Sequence, residues 1–210
     1  AWNFLYMLHG REPEAKRVRQ LDTCLILHAD HELNASAFSA RVTSSTLSGI
    51  YSSVMAAIGT LKGPLHGGAN EQVARMLLEI KSPDRLEAWL EAALASGEKI
   101  MGFGHRVYKE GDPRAKILKA MSREITREVG HPEMYEMSAR LEELMGQRKG
   151  LICNVDFYSA SVYHSMGIPI DLFTPVFATS RVAGWCAHVL EQYQNNRIYR
   201  PRGKYVGPTG

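Results

Sequence analysis

Four stretches of this chain gather polar, titratable side chains between apolar runs: "HADHELNAS" (28–36), "GPLHGGAN" (63–70), "GFGHRVYKEGDPR" (102–114) and "CNVDFYS" (153–159). In the second, His66 stands between a Gly-Pro pair and Gly67-Gly68, just before a run that reads as helix. Glycine loses more conformational freedom on folding than any other residue, so this cluster marks a tight turn or a place where something approaches the backbone closely. In the fourth, Asp156 is the one charge in "NVDFYSASVY". A carboxylate among apolar neighbours is costly unless paired or used, and desolvation raises its basicity; the same residue also suits a helix N-cap.

The first stretch sets His28 and His31 three apart with Asp30 between them, a spacing that shares a helical face and invites a metal reading. It is not HExxH, and no third ligand follows at metalloprotease spacing, so structural histidines and anion binding stand beside that reading and no metal is assigned. In the third, Gly102 and Gly104 permit close approach to a ligand and present His105, but Val107 occupies the place of the third glycine of a dinucleotide fingerprint. Asp112-Pro113-Arg114 reads as a helix start, with Asp112 capping and Pro113 in the first turn. Arg181 lies in an otherwise apolar run and Arg200 in the "YRPR" tail, where a solvated surface arginine is the ordinary outcome.

The elements that must position these residues read as helices. No alternating strands, hairpin turns or fixed-period repeat are present, and the expectation is an all-α fold. Residues 35–61, rich in Ala, Ser, Thr and Gly with Leu47, Ile50, Val54 and Ile58 at three- and four-residue spacing, read as a central or subunit-interface helix. Asn70 is the expected N-cap of a helix over 70–80, "DRLEAWLEAALAS" forms another that Gly97 ends, and amphipathic runs cover 115–129 and 134–145. A last helix over 174–195 turns Val176, Phe177, Val182, Trp185, Val189 and Leu190 to its apolar face.

At 210 residues, 45% hydrophobic and 22% charged, the chain is long enough for one large or two small domains and has no apolar run able to span a bilayer. The opening "AWNFLYML" lacks a basic leader and is not read as a signal peptide. Three separated cysteines, without CxxC spacing, favour a reducing compartment, so the cytoplasm is the expected location. The net charge of +3 is interspersed rather than clustered, which argues against nucleic acid while suiting small anionic substrates.

Taken in order, "ILHADHELNAS", "AAIGTLKGPLHGGANE", "IMGFGHRVYK" with "DPRA", "NVDFYSASVYHSMGI", and "LFTPVFATSRVAGW" with "RPRGKYVGP" resemble the citrate synthase family, including its relative 2-methylcitrate synthase, over nearly the whole chain. The resemblance implies a large helical domain containing 1–67 and 168–210, a small helical domain over 68–167, and a missing N-terminal part of the large one. It implies that His66 hydrogen-bonds the thioester carbonyl of acetyl-CoA, Asp156 removes a methyl proton, and His105 polarises the ketone of oxaloacetate. It further implies that His31, Arg114 and Arg181 hold the carboxylates and that Arg200 reaches them from the other subunit of a homodimer. Gly102, Phe103, Gly104, Arg106 and Lys109 would meet CoA, which is a co-substrate; no tightly bound cofactor is expected. Where family members of this type usually have proline before Asn-Val-Asp, this chain has Cys153. Citrate formation is the leading expectation, 2-methylcitrate formation from propionyl-CoA the second, and a non-catalytic helical binding or assembly module the third.

Overall fold

The computed structural model describes residues 1–105, 107–108 and 110–208, and among them it contains ten α-helices, two single-turn 3-10 segments and no strand. The helices are α1 (Trp2–His9), α2 (Ala15–His28), α3 (Ala35–Ser45), α4 (Ile50–Leu61), α5 (Ala69–Ile80), α6 (Leu86–Ala95), α7 (Pro113–Glu128), α8 (Pro132–Lys149), α9 (Val155–Ser165) and α10 (Phe173–Gln194). No helix among the described residues is long and apolar enough to cross a membrane.

Local chemistry explains several of the boundaries. Asp112 accepts the Arg114 N–H at 3.0 Å and Pro113 occupies the first turn, where its missing N–H costs nothing, so α7 starts where the sequence says it should. Asn34 caps α3 by accepting the Ala37 N–H at 3.1 Å. Asn154, not Asp156, caps α9: its side chain accepts the Asp156 N–H at 3.0 Å, which leaves the Asp156 carboxylate without capping duty.

Two expectations are corrected. Residues 35–61 form two packed helices rather than one, because Leu47 (φ 63°) and Gly49 (φ 92°) both turn into the left-handed region and break the hydrogen-bond ladder. Asn70 does not cap α5: the helix begins one residue earlier behind Gly68, and Asn70 is buried in the first turn.

The buried apolar residues fall into two groups. The larger joins Leu5, Leu21 and Cys24 of α1 and α2 to α5–α9 and the start of α10. The smaller is built from α3, α4 and α10 around Trp185, Leu61 and Phe177. Helix α9 is enclosed by α5, α7 and α8, and every residue from Phe157 to Tyr163 is buried. A polar side chain in its first turn is therefore largely walled off from water. On α10, Val176, Phe177, Trp185 and Val189 face the core as expected, whereas Leu190 is exposed.

Candidate active site

A cleft of about 790 Å³ opens between the two groups of helices, and six of the seven side chains that the resemblance assigns to catalysis and to the carboxylates line it: His31, His66, His105, Arg114, Asp156 and Arg181. Gly102, Phe103 and Gly104 line it as well. Arg200 does not; it lies exposed in the tail beyond α10. Arg106 and Lys109 fall outside the described residues.

His66 sits in the turn between α4 and α5, where the Gly67 N–H donates to Leu61 O at 2.9 Å. A Cβ on Gly67 would lie 2.4 Å from the Leu61 side chain, so this glycine serves close approach of the chain to itself. The Ser36 N–H donates to His66 Nε2 at 3.3 Å. A backbone N–H can only donate, so Nε2 is bare and the neutral ring carries its proton on Nδ1. The Ser36 hydroxyl, 2.8 Å from Nε2, is itself held by the Trp185 indole N–H at 3.0 Å. Burial, with Arg181 nearby, pushes the His66 pKa down to about 4, so the ring is neutral at ordinary pH.

His105 follows the Gly-Phe-Gly loop. Its Nδ1 accepts the N–H groups of Val107 and Tyr108, both at 3.0 Å, which puts the proton of the neutral ring on Nε2. The His31 ring meets it edge-on, with centroids 5.1 Å apart. Burial first, then Arg114 and His105, push the His31 pKa below its ordinary value. The lowered pKa favours the neutral ring of His31, and the two N–H groups held on Nδ1 leave Nε2 as the outward nitrogen of His105, 3.5 Å from Arg114 Nη2.

Arg114 is bound through its Nε and Nη2 to Asp112, at 3.0 and 2.8 Å. Arg181, only 2% exposed, donates from Nε to His28 O at 2.6 Å and lies 4.7 Å from the Phe177 ring centre. Among the described residues no carboxylate comes within ion-pair distance of Arg181, so its outer nitrogens retain charge to offer to an anion. Burial, chiefly, lowers its pKa to about 10, still above neutrality. One turn along α10, the Gly184 N–H donates to Ala29 O at 3.2 Å, a contact with no room for a Cβ, which would sit 2.4 Å from that oxygen.

Asp156 Oδ1 is shut off from solvent and has no hydrogen-bond partner among the described residues. Desolvation raises its pKa to about 7 against the opposing pull of Arg114 and Arg181. The loop before it runs alongside the loop that leads to His105: Gly104 N–H donates to Ile152 O at 2.8 Å, Asn154 N–H to Gly102 O at 2.9 Å, and the Asn154 amide to Gly104 O at 3.2 Å. These bonds tie the start of α9, which carries Asp156, to the loop that carries His105. Behind α9, Glu142 of α8 accepts from Tyr158 Oη, from Lys119 Nζ at 2.5 Å and from Cys153 Sγ at 3.3 Å. Burial works to raise the Glu142 pKa, but these donors outweigh it and hold the carboxyl below its usual range.

His28 and His31 do not share a helical face, because α2 ends at His28. His28 turns into the core, where burial lowers its pKa to about 4, and His31 turns to the cleft. Among the described residues no group of three or more His, Cys, Asp or Glu is placed to hold a metal ion. The sequence reading missed Ser36 and Asn154, which orient His66 and start α9; the "NAS" and "NVD" triplets, each an Asn ahead of a helical run, carried that signal.

Neutral histidines, an arginine short of anions and a desolvated carboxylate thus stand around one cleft of an all-α chain. The family described as "Citrate synthase, C-terminal domain" matches over residues 1–202, and the chain belongs to the citrate synthase family. It is 61% identical over 208 residues to citrate synthase 2 of Bacillus subtilis (strain 168), covering 99% of this chain and 56% of that protein. It is 50% identical over 205 residues to 2-methylcitrate synthase of Shewanella oneidensis, covering 98% and 55%. The structure of citrate synthase from Thermoplasma acidophilum, in a ternary complex with carboxymethyl coenzyme A and oxaloacetate, superposes with a TM-score of 0.93 at 42% identity, covering 100% of this chain and 57% of that one. The chain thus spans a little over half the length of these relatives, and shares their all-α, multi-helical fold.

Proposed function

We propose that this chain supplies the reacting groups of a citrate synthase, which condenses acetyl-CoA with oxaloacetate to citrate and CoA. What carries the reading is the opposition, across one cleft, of a desolvated carboxylate and a histidine whose proton is fixed on Nδ1. A thioester α-proton is a very weak acid, so Asp156 can remove it only while a donor stabilises the developing enolate, and His66 Nδ1–H is that donor. The enolate carbon attacks the ketone of oxaloacetate, which His105 Nε2–H polarises. Arg181, with Arg114 and His31, neutralises and orients the dicarboxylate. Water then hydrolyses the citryl thioester, and the proton count closes with release of citrate and CoA. Gly102, Phe103 and Gly104, with Arg106 and Lys109, are assigned to CoA; no tightly bound cofactor takes part.

We assign residues 1–67 and 168–210 to the large domain and 68–167 to the small one, with the cleft at their boundary. His31, His66 and Arg181 then face His105, Arg114 and Asp156 across it. The chain works as a homodimer: Leu47, Tyr51, Met55 and Ile58 form an exposed apolar stripe along α4 and the turn before it, and Arg200 is free of its own chain's cleft. Its three free cysteines suit the cytoplasm.

Thiol release from acetyl-CoA, measured with and without oxaloacetate in the full-length protein, tests the activity; oxaloacetate-independent or absent release overturns it. A parallel assay with propionyl-CoA decides between citrate and 2-methylcitrate formation, since a 2-methylcitrate synthase stands among the relatives and one methylene is worth only about 1–3 kcal/mol of discrimination. Mixing Arg200→Ala with Asp156→Ala subunits tests the shared site. Random exchange restores about a quarter of all sites if Arg200 acts across the interface and none if it acts within its own chain.

A further inference from the structure

The last turn of α2 and the loop behind it meet α10 in a series of contacts that climb one face of that helix. Ser180 Oγ donates to Leu25 O, Arg181 Nε to His28 O at 2.6 Å, the Gly184 N–H to Ala29 O at 3.2 Å, and His188 Nε2 lies 3.1 Å from Asp30 Oδ1. Positions 181, 184 and 188 follow at three- and four-residue spacing, so residues 28, 29 and 30 are laid in order along successive turns of α10. The Asp30 side chain folds over the bare glycine: a Cβ on Gly184 would fall 2.7 Å from Asp30 Oδ1. His31, which lines the cleft, comes next. Glu32 after it takes a φ of 50°, a left-handed conformation that a residue with a side chain adopts only when its surroundings hold it there. The Asn34 amide secures the far side of His31, donating to His31 O at 3.1 Å and to Glu32 O at 3.3 Å. The near side has the His188 bond.

The orientation of the His188 ring follows from its neighbours. A carboxylate only accepts, so Nε2 carries the proton that meets Asp30. Arg41 Nη1 lies 3.4 Å from Nδ1, and a guanidinium only donates, so Nδ1 is the accepting nitrogen. Arg41 is itself held by Gln192, from Nε to Oε1 at 3.1 Å, and by Glu191. The ring proton thus sits on the nitrogen that faces the loop, and the bond is made at the loop's rim, where Asp30 is half exposed. We propose that His188 is a positioning residue: through Asp30 it clamps residues 29–31 to α10 and so fixes His31 relative to Arg181, the two groups assigned to the same dicarboxylate. The part in substrate capture rests on the citrate synthase reading; the clamp stands without it.

His188→Leu removes the donor, whereas His188→Gln keeps an N–H donor of similar reach. In ligand-free, full-length protein, hydrogen exchange at the amides of residues 29–31 is expected to speed up about 3- to 10-fold in the leucine variant and to return toward wild type in the glutamine variant. Oxaloacetate affinity by calorimetry and the KM for oxaloacetate are expected to weaken by a similar factor in His188→Leu. At saturating oxaloacetate, kcat and the acetyl-CoA KM should stay within about twofold of wild type, because the loss lies in capture. A packing defect would instead move both variants alike and lower kcat. Adding Asp30→Ala to His188→Leu is expected to cost nothing further, since either change alone opens the clamp. Unchanged exchange at 29–31, equal losses in the leucine and glutamine variants, or additive losses in the double variant overturn the proposal. Failure of the functional reading is separable: wild-type protein would then bind no oxaloacetate, and the exchange and rescue measurements would still decide the clamp.

Discussion

Asp156 and Glu142 lie on opposite sides of the same stretch of chain, one in the first turn of α9 and the other against the residues that flank that turn, and both carboxylates are substantially withdrawn from water. Glu142 is met by an ammonium, a phenol and a thiol, and its pKa falls. Asp156 is met on Oδ1 by no donor among the described residues, and its pKa climbs to about 7. Burial is the leading influence on each, so burial does not separate them; the number of donors does. The first arrangement makes a strut, fully ionised and inert. The second makes a carboxyl that changes protonation near neutral pH, as the proposed base requires.

The largest effect that would break this contrast is on turnover. Asp156→Asn is expected to keep the fold and oxaloacetate binding, read by calorimetry, while steady-state turnover drops at least about 100-fold, since an amide cannot take the proton. Near-wild-type turnover would reduce Asp156 to a helix-terminal residue.

The pH dependence sharpens the contrast because the two carboxylates act with opposite sign. Asp156 binds its proton in the folded state up to about pH 7 but releases it near pH 4 when unfolded, so its contribution to stability falls as pH rises from 4 to 7, by a total on the order of 4 kcal/mol. Turnover needs the ionised form and should rise over the upper part of that window. Glu142 has the lowered pKa, so its stabilisation is present above the ordinary Glu range and is lost as pH falls through the folded value. Chemical denaturation of Asp156→Asn should accordingly show the gain over wild type at pH 8 and little at pH 4.

Glu142→Gln comes next in size. The Tyr158 hydroxyl, buried within the core, loses part of its acceptor, and a loss of about 1–3 kcal/mol is expected by urea unfolding. Turnover per folded molecule should change far less than in Asp156→Asn; an equal loss would mean that the strut and the base are one unit. The smallest effect is expected for Cys153→Pro. The backbone bonds on either side of Cys153 belong to Ile152 and Asn154, and among the described residues the Cys153 N–H donates to no backbone acceptor, so proline removes no ladder bond there. The thiol contact to Glu142 is the loss, expected at under about 1 kcal/mol in the same measurement.

Much of this arrangement was legible in the sequence where a residue's chemistry acts locally. Asp112-Pro113 announced α7, and the lone charge in "NVDFYSASVY" announced a desolvated acid. What escaped depended on the third dimension. Leu47 carries no turn signature, yet its φ of 63° splits one expected helix into two. His28 and His31 looked like partners because helical periodicity was extended one turn past the real end of α2. Asn70 and Asp156 both resembled caps, and in each case the residue two places earlier, Gly68 or Asn154, holds that position. Tyr163 drew no reading from the sequence, because nothing in a linear sequence shows that its hydroxyl is shut into the core without a partner among the described residues.

The contact of Gly184 with Ala29 bears on how this protein can be damaged. The glycine lies one turn after Arg181, and the carbonyl it touches lies two residues before His31, so this one close approach sets the gap between two groups assigned to the same dicarboxylate. A methyl group added there would pry the 29–31 loop from α10 while leaving His66 and Asp156 where they are. A genetic screen for weakened substrate capture would then recover lesions at Gly184, a position outside the cleft lining, alongside those in the arginines themselves.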